Sequence, residues 1–133
     1  MITAVDSNVL LDLLTGDPGH GPGSAAAIRA AAADGALVAS TVVWAEVLGA
    51  YDDVRPVIEA LDRLGVDLVS DDRDVAITAG RVYRAYRAGG GTRRRILPDF
   101  LIGAHAMIHA DRLLTRDRGF YRAQFSRLSI LEP

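Results

Sequence analysis

Four acidic residues stand where strand-like segments give way to helices or turns. Asp6 and Asp117 each follow a short apolar run of strand length. Glu46 and Asp99 lie early in two apolar segments of helical length. Open α/β sheets place their ligands and their chemistry beyond the carboxyl ends of the strands. We therefore expect the four carboxylates to meet at one edge of a sheet.

Each acid taken alone also has a structural interpretation. Asp6 can help to start the helix for which Ser7 or Asn8 is placed as the cap. Asp117 can be a turn residue or an N-cap. Glu46 lies in a segment so apolar that we expect a buried helix, where a carboxylate is costly unless it is paired, protonated or bound to metal. An ion pair with an arginine is the alternative for Glu46.

Four carboxylates in one cleft repel each other unless a divalent cation neutralises them. The chain has no cysteine. His105 and His109 have a spacing that can hold zinc, but no Glu follows His105 and both point away from the helix face of Asp99, so we expect packed or partly exposed histidines. An all-oxygen ligand set suits Mg²⁺ or Mn²⁺. Such a cation attracts phosphate and can activate a water for attack on phosphorus.

Alternating strand and helix patterns must position these acids. The pattern predicts strands near residues 2–5, 36–39, 66–69, 112–115 and 128–131. It predicts helices from residue 7, from the cap Ser24 to residue 33, and at 42–51, 54–64, about 70–88 and 97–110, with a turn at 116–120. Right-handed crossovers then give a three-layer α/β/α fold with a mostly parallel sheet of four to five strands. We expect residues 1–133 to form a single domain.

Charge is distributed unevenly although the formal net charge is only −2. From Asp52 to Asp74 there are eight acids and three arginines, whereas Val75 to Pro98 contains six arginines and no acid. All basic residues are arginine, which excludes mechanisms that need a lysine beside a phosphate. No apolar run approaches the roughly 20 residues of a membrane span. We expect a cytoplasmic protein without a signal peptide.

Four segments together resemble the spaced motifs of PIN-domain nucleases, most closely the VapC-type toxins of bacterial toxin–antitoxin pairs. They are Val5-Asp6-Ser7-Asn8-Val9-Leu10-Leu11, Ala45-Glu46-Val47, Pro98-Asp99-Phe100-Leu101-Ile102-Gly103-Ala104 and Leu114-Thr115-Arg116-Asp117. The resemblance covers essentially the whole chain.

This resemblance implies a metal-dependent endoribonuclease, usually a homodimer, that is held inactive by a small antitoxin. It assigns Asp6, Glu46, Asp99 and Asp117 to the acidic, metal-binding positions and a supporting polar role to Asn8 or Thr115. Contacts to RNA must then fall to arginine, and we predict that Arg93, Arg94 and Arg95, in a loop after three glycines, guide the RNA backbone.

Two other enzyme classes place an acid after the first strand of a parallel sheet. Phospho-acceptor receiver domains and haloacid-dehalogenase-like phosphatases both need a lysine that this chain lacks, and the phosphatases also need a carboxylate where the chain has Asn8. A non-catalytic PIN-like module that binds RNA or protein remains the alternative. Metal-dependent RNA cleavage separates it from the nuclease.

Overall fold

Five parallel strands form the centre of the molecule in a computed structural model that describes residues 1–92 and 96–133. Their order across the sheet is β3-β2-β1-β4-β5, and every neighbouring pair is parallel. The strands are β1 (Ile2–Val5), β2 (Ala36–Ala39), β3 (Val66–Leu68), β4 (Arg112–Leu114) and β5 (Ser129–Leu131). The predicted parallel α/β fold is confirmed.

Helices cover both faces of this sheet. They are α1 (Ser7–Thr15), α2 (Gly21–Asp34), α3 (Thr41–Leu48), α4 (Arg55–Leu64), α5 (Arg73–Ala88), α6 (Leu97–His109) and α7 (Arg118–Gln124). The chain runs from β1 outward to β3 and then returns past β1 to β4. Right-handed crossovers therefore place α1–α4 on one face and α5–α7 on the other. No helix of the described chain is long and apolar enough to cross a membrane.

Two helices begin directly at the carboxyl ends of strands because a polar side chain caps each one. Asp6, the N-cap of α1, accepts a hydrogen bond from the Ser7 N–H. Ser40, the N-cap of α3, accepts one from the Val43 N–H. The expectation that Ser7 or Asn8 caps α1 is wrong, because the helix starts one residue earlier and Asp6 itself has the extended backbone of a cap.

Two further expectations about helix boundaries are wrong. Helix α2 begins at Gly21, and Ser24 is a fully buried residue inside it that does not cap it. Residues 116–120 are not only a turn, because α7 begins at Arg118. Phe120 and Tyr121 are buried on one side of α7, so tertiary packing stabilises a helix that is too short for local sequence to specify.

An aromatic cluster joins α5, α6 and α7 on one face of the sheet. The Phe100 ring lies 5.0 Å from the Tyr83 ring, 5.2 Å from the Tyr86 ring and 5.2 Å from the Phe120 ring. Phe100 is fully buried, so this packing fixes the first turns of α6. The residue just before it is Asp99.

The two histidines of α6 are packed as expected. His105 is 1% exposed, and its Nε2 lies 2.8 Å from the Val69 carbonyl oxygen. His109 is half-buried, and its Nε2 lies 2.9 Å from Asp72 Oδ2. Both contacts attach α6 to the segment that leads from β3 into α5.

Candidate active site

Asp6 lies at the point where the strand order of the sheet reverses. It follows β1, the middle strand, and its N–H donates to the carbonyl of Leu114 at the end of β4 over 2.9 Å. The chain leaves β1 and β4 toward opposite faces of the sheet. Such a switch point opens a crevice beyond the carboxyl ends of the strands, where ligands of open α/β sheets bind.

Three neighbours hold the Asp6 carboxylate in place. Thr115 Oγ1 donates to Asp6 Oδ2 over 2.7 Å, and the Ser7 N–H donates to Oδ1 over 2.7 Å. Asn8 Nδ2 donates to Oδ2 over 3.3 Å. Asp6 is only 4% exposed and Thr115 is 0% exposed. Both residues that the resemblance assigned to a supporting role thus contact Asp6 directly.

Glu46 is exposed on α3, which contradicts the expectation of a buried helix around it. Only Val43 and Val47 of α3 are buried, because one stripe of the helix packs on the core. The Ser7 hydroxyl lies 3.2 Å from Glu46 Oε1 and 3.4 Å from Asp6 Oδ1. Ser7 therefore stands between these two carboxylates, although the sequence suggested only a capping role for it.

Asp99 and Asp117 are both half-buried at the starts of helices. Asp99 lies in the first turn of α6, where its Oδ2 accepts from the Ile96 N–H over 3.4 Å. Asp117 immediately precedes α7, and its N–H donates to Thr115 Oγ1 over 3.0 Å. Thr115 therefore contacts both Asp6 and Asp117 through a single hydroxyl.

Asp6 and Glu46 lie in surroundings that favour their protonated forms. Burial raises the pKa of Asp6 to about 6, and the nearby charges of Glu46 and Asp99 add to the rise, while the hydrogen bonds from Thr115 and Ser7 oppose it. Although Glu46 is exposed overall, partial desolvation of its carboxyl and the charge of Asp99 raise its pKa, while the hydrogen bond from Ser7 opposes the rise. Three of the four predicted acids thus act on one another.

Tyr121 is a residue of this site that the sequence analysis missed. Its side chain is 1% exposed, and its pKa is raised by burial and by the charges of all four acids. Asp117, like the other three acids, is therefore close enough to Tyr121 for its charge to affect the tyrosine. The available signal was the spacing, because Tyr121 lies one helical turn after Asp117 on a segment that was not predicted as a helix.

An ion pair between the exposed Arg116 and the buried Asp12 supports the loop that carries Thr115 and Asp117. Arg116 Nε donates to Asp12 Oδ2 over 2.7 Å and its Nη2 donates to Oδ1 over 3.0 Å. Asp12 is 6% exposed and also accepts from the Ser24 hydroxyl. The Arg116 N–H donates to Asn8 Oδ1 over 3.3 Å. The only sequence signal was an acid on the apolar face of α1.

Family comparison agrees with this geometry. The model of the PIN domain family matches residues 3–126. The chain belongs to the PIN domain family. This match spans all four acids and confirms the PIN part of the resemblance. No curated protein sequence matches the chain.

Several solved structures share the fold of this PIN domain. VapBC2 of Rickettsia felis, bound to a DNA fragment from its promoter, gives a TM-score of 0.78 at 17% identity, covering 99% of this PIN domain and 98% of that chain. VapBC-1 of nontypeable Haemophilus influenzae gives a TM-score of 0.75 at 18% identity, covering 99% of this PIN domain and 98% of that chain. FitAcB of Neisseria gonorrhoeae gives a TM-score of 0.71 at 19% identity, covering 98% of this PIN domain and 96% of that chain.

The donor atoms of this PIN domain fit a hard divalent cation, but the side chains do not form a finished metal site. Within residues 1–92 and 96–133, no three His, Asp or Glu side chains are grouped so that they could hold a metal ion. The candidate ligands are all carboxylate oxygens, as Mg²⁺ and Mn²⁺ prefer. Glu46 is exposed, so its carboxylate can move by rotation without disturbing the core. The predicted RNA contacts Arg93, Arg94 and Arg95 lie outside the described residues.

Proposed function

We propose that this PIN domain is a metal-dependent endoribonuclease, the cytoplasmic toxin of a toxin–antitoxin pair. One observation carries the proposal: at the switch point of a parallel sheet, the buried Asp6 lies close enough to Glu46 and Asp99 that their charges raise its pKa, and the charge of Asp99 also raises the pKa of Glu46. A protein gains nothing in stability by collecting repelling carboxylates around a buried one. The arrangement is useful when a cation binds there.

Asp6 and Asp99 are the principal ligands in this proposal, with Glu46 and Asp117 completing the set for Mg²⁺ or Mn²⁺. When bound, the cation orients and activates a water for attack on phosphorus and stabilises the leaving oxygen. Thr115 and Asn8 fix the Asp6 carboxylate through their hydrogen bonds to Oδ2. Because Asp6 Oδ2 already accepts these two bonds and Oδ1 accepts one from the Ser7 N–H, we propose that Oδ1 is the oxygen that would bind the cation.

The proposed partners follow from the fold neighbours and the family. One solved structure with the same fold, from Klebsiella pneumoniae, is named as a toxin–antitoxin complex, and two others are named VapBC2 and VapBC-1, which supports a cognate antitoxin for this PIN domain. We further propose a homodimer and an RNA substrate, with Arg93, Arg94 and Arg95 contacting the RNA backbone. Arginine is suited to this task because its planar guanidinium pairs with phosphate through two hydrogen bonds.

Cleavage assays with the purified chain test this function. Wild type is incubated with structured and single-stranded RNA in Mn²⁺ or Mg²⁺ and, in parallel, in EDTA. Asp6→Asn keeps the shape of the side chain and should lower cleavage by orders of magnitude. The control Asp62→Asn changes an exposed acid of α4 and should cleave like wild type. Absence of cleavage by wild type with either metal would favour the non-catalytic binding module.

A further inference from the structure

Three arginines on the outer side of α5 form an exposed basic surface. We call Arg81, Arg84 and Arg87, together with the half-buried Tyr83, the α5 basic face. No ion-pair partner of these arginines occurs among the residues that the structure describes, whereas Arg112, Arg116 and Arg118 each pair with an acid. The sequence from Val75 to Pro98 contains no acid that could neutralise them. The α5 basic face is therefore a site of uncompensated positive charge.

The α5 basic face also has a shape that suits a nucleotide chain. A shallow depression of about 420 Å³ lies between Gly80, Tyr83, Arg84, Arg87 and Ala88. The guanidinium carbon of Arg87 lies 5.7 Å from the centre of the Tyr83 ring. An aromatic ring beside guanidinium groups is typical of surfaces that bind single-stranded nucleic acid, where cations contact phosphates and flat groups stack on bases.

The position of this face connects it to the acidic cluster. The Tyr83 ring packs 5.0 Å from the Phe100 ring, and Phe100 directly follows Asp99. A polyanion bound on the α5 basic face thus lies next to the start of α6. The acidic cluster at the carboxyl ends of the strands repels phosphate unless a cation is present. Positive charge on the nearby α5 basic face would therefore help to hold a polyanionic substrate.

We propose that the α5 basic face binds the backbone of single-stranded RNA and leads it toward Asp99 and Asp6. This inference rests on the proposed ribonuclease function and adds a binding surface within the described residues. Arg81, Arg84 and Arg87 contact phosphates, and Tyr83 with Arg87 presents a flat surface to a base. In this proposal the face supplies affinity, and the chemistry stays with the carboxylates.

RNA-binding measurements in a cleavage-deficient background test this proposal. Asp6→Asn protein and a fluorescent single-stranded RNA are mixed in EDTA, and fluorescence anisotropy is recorded over a series of salt concentrations. Adding Arg81→Gln, Arg84→Gln and Arg87→Gln should weaken binding about tenfold or more. The salt slope should fall by about 2, since each phosphate contact on a single strand contributes about 0.7.

A matched triple variant distinguishes the effect of this surface from the effect of lowering the net positive charge. Arg29→Gln, Arg63→Gln and Arg127→Gln also remove three exposed arginines, but from other elements. This control should lose less than about threefold in affinity. Equal losses in the two triple variants, or no loss in the α5 variant, would overturn the proposal. Unchanged RNA binding together with an altered oligomeric state in the α5 variant would assign the face to a protein contact and also overturn it.

The same experiment distinguishes this inference from the proposed function. If wild type cleaves RNA with Mn²⁺ while the α5 triple variant binds RNA as tightly as its parent, only the α5 basic face is wrongly assigned. If the parent binds no RNA at any salt concentration and wild type cleaves none, both proposals fail. Circular dichroism of every variant checks that the fold persists, as expected for exposed side chains.

Discussion

At the scale of single residues, Asp6 combines two roles that oppose each other. Its carboxylate caps α1 and accepts bonds from Thr115 and Asn8, which favour the charged form. Its burial and its acidic neighbours favour the protonated form, and they prevail, so its pKa rises to about 6. The metal-free protein therefore has unfavourable electrostatic energy at this site at neutral pH, which the proposed cation would relieve.

The pKa of Asp6 predicts how stability depends on pH in the metal-free protein. Since the folded pKa of about 6 exceeds the ordinary value of 3.8, the native state holds this proton more tightly than the unfolded chain. The stabilising effect of protonation is complete below about pH 4 and is lost as pH rises through 6. Asp6→Asn should therefore be more stable than wild type by about 1–2 kcal/mol at pH 7.

Urea denaturation in EDTA at several pH values measures this difference. The advantage of Asp6→Asn should be mostly lost by about pH 4 and absent below about pH 3, where wild-type Asp6 is protonated in both the folded and the unfolded state. Asp62→Asn, an exposed acid, should follow wild type throughout. If wild type and Asp6→Asn lose stability in parallel between pH 4 and 7, Asp6 is not the group whose pKa is raised.

The Arg116–Asp12 pair should stabilise the loop that carries Thr115 and Asp117. Arg116→Met leaves the buried Asp12 charge without its bidentate partner, and we expect a loss of about 2–4 kcal/mol in unfolding free energy. Asp12→Asn in the same chain removes the isolated charge, keeps an acceptor for Ser24, and should recover more than half of the loss.

The exposed Arg118–Glu132 pair is the control, and Arg118→Met should cost less than about 1 kcal/mol. Additive effects of the two substitutions would show that the pair is not coupled.

At the scale of elements, close packing of α6 on the segment after α7 fixes the position of Asp99. A Cβ atom at Gly103 would clash with the ring of Phe125, and Phe125 is 2% exposed. The ring cannot move aside because it packs against Phe120 and Tyr121. The glycine of the motif around Asp99 is thus required by contact between elements, not by its backbone angles.

Two alanine substitutions at glycines within helices should have opposite effects. Gly103→Ala should destabilise the fold by about 1–3 kcal/mol because the core is overpacked. Gly80→Ala, in α5, meets no atom within 4 Å and should stabilise the fold by about 0.5–1 kcal/mol through helix propensity. Thermal or urea unfolding of both variants checks the signs. A neutral Gly103→Ala would show that α6 and Phe125 can separate without cost.

The sequence predicted most elements because their signals are local. The strand before Asp6 and the helix that Ser40 caps are specified by apolar runs and a capping residue. Helix α7 was missed because it has seven residues, includes Gly119, and depends on the burial of Phe120 and Tyr121. The exposure of Glu46 was missed because composition does not show which faces of an apolar helix the fold covers.

The contacts within the site were less predictable than the acids themselves. Carboxylates that follow strands can be recognised from local sequence together with sheet topology. The bonds from Thr115 to Asp6 and from Arg116 to Asp12 join residues separated by 109 and 104 positions. Which residues form such pairs depends on the order of the strands and the path of the loops. The sequence pattern is compatible with several strand orders and loop paths, so it does not identify the pairs. Tyr121 was missed for the same reason, because its position near the acids depends on how α7 packs in the fold.

At the scale of the whole molecule, metal binding should stabilise the fold. A cation that binds the native state and not the unfolded chain adds about 2.7 kcal/mol at a hundredfold excess over its Kd. We expect Mn²⁺ or Mg²⁺ to raise Tm by several degrees in wild type and by much less in Asp6→Asn. Differential scanning fluorimetry with Ca²⁺ and EDTA controls records the shift. An unchanged Tm at millimolar Mn²⁺ would count against the site.

The central claim is that a cation held by Asp6 and Asp99 enables RNA cleavage by this PIN domain. The most direct test titrates Mn²⁺ into wild type, Asp6→Asn and Asp99→Asn, and follows both bound metal by electron paramagnetic resonance and cleavage of a labelled RNA. We predict that cleavage by wild type rises with the same midpoint as metal occupancy, and that both variants lose metal affinity and cleavage together. Cleavage that persists in EDTA, or Mn²⁺ that binds both variants as tightly as wild type, would contradict the claim.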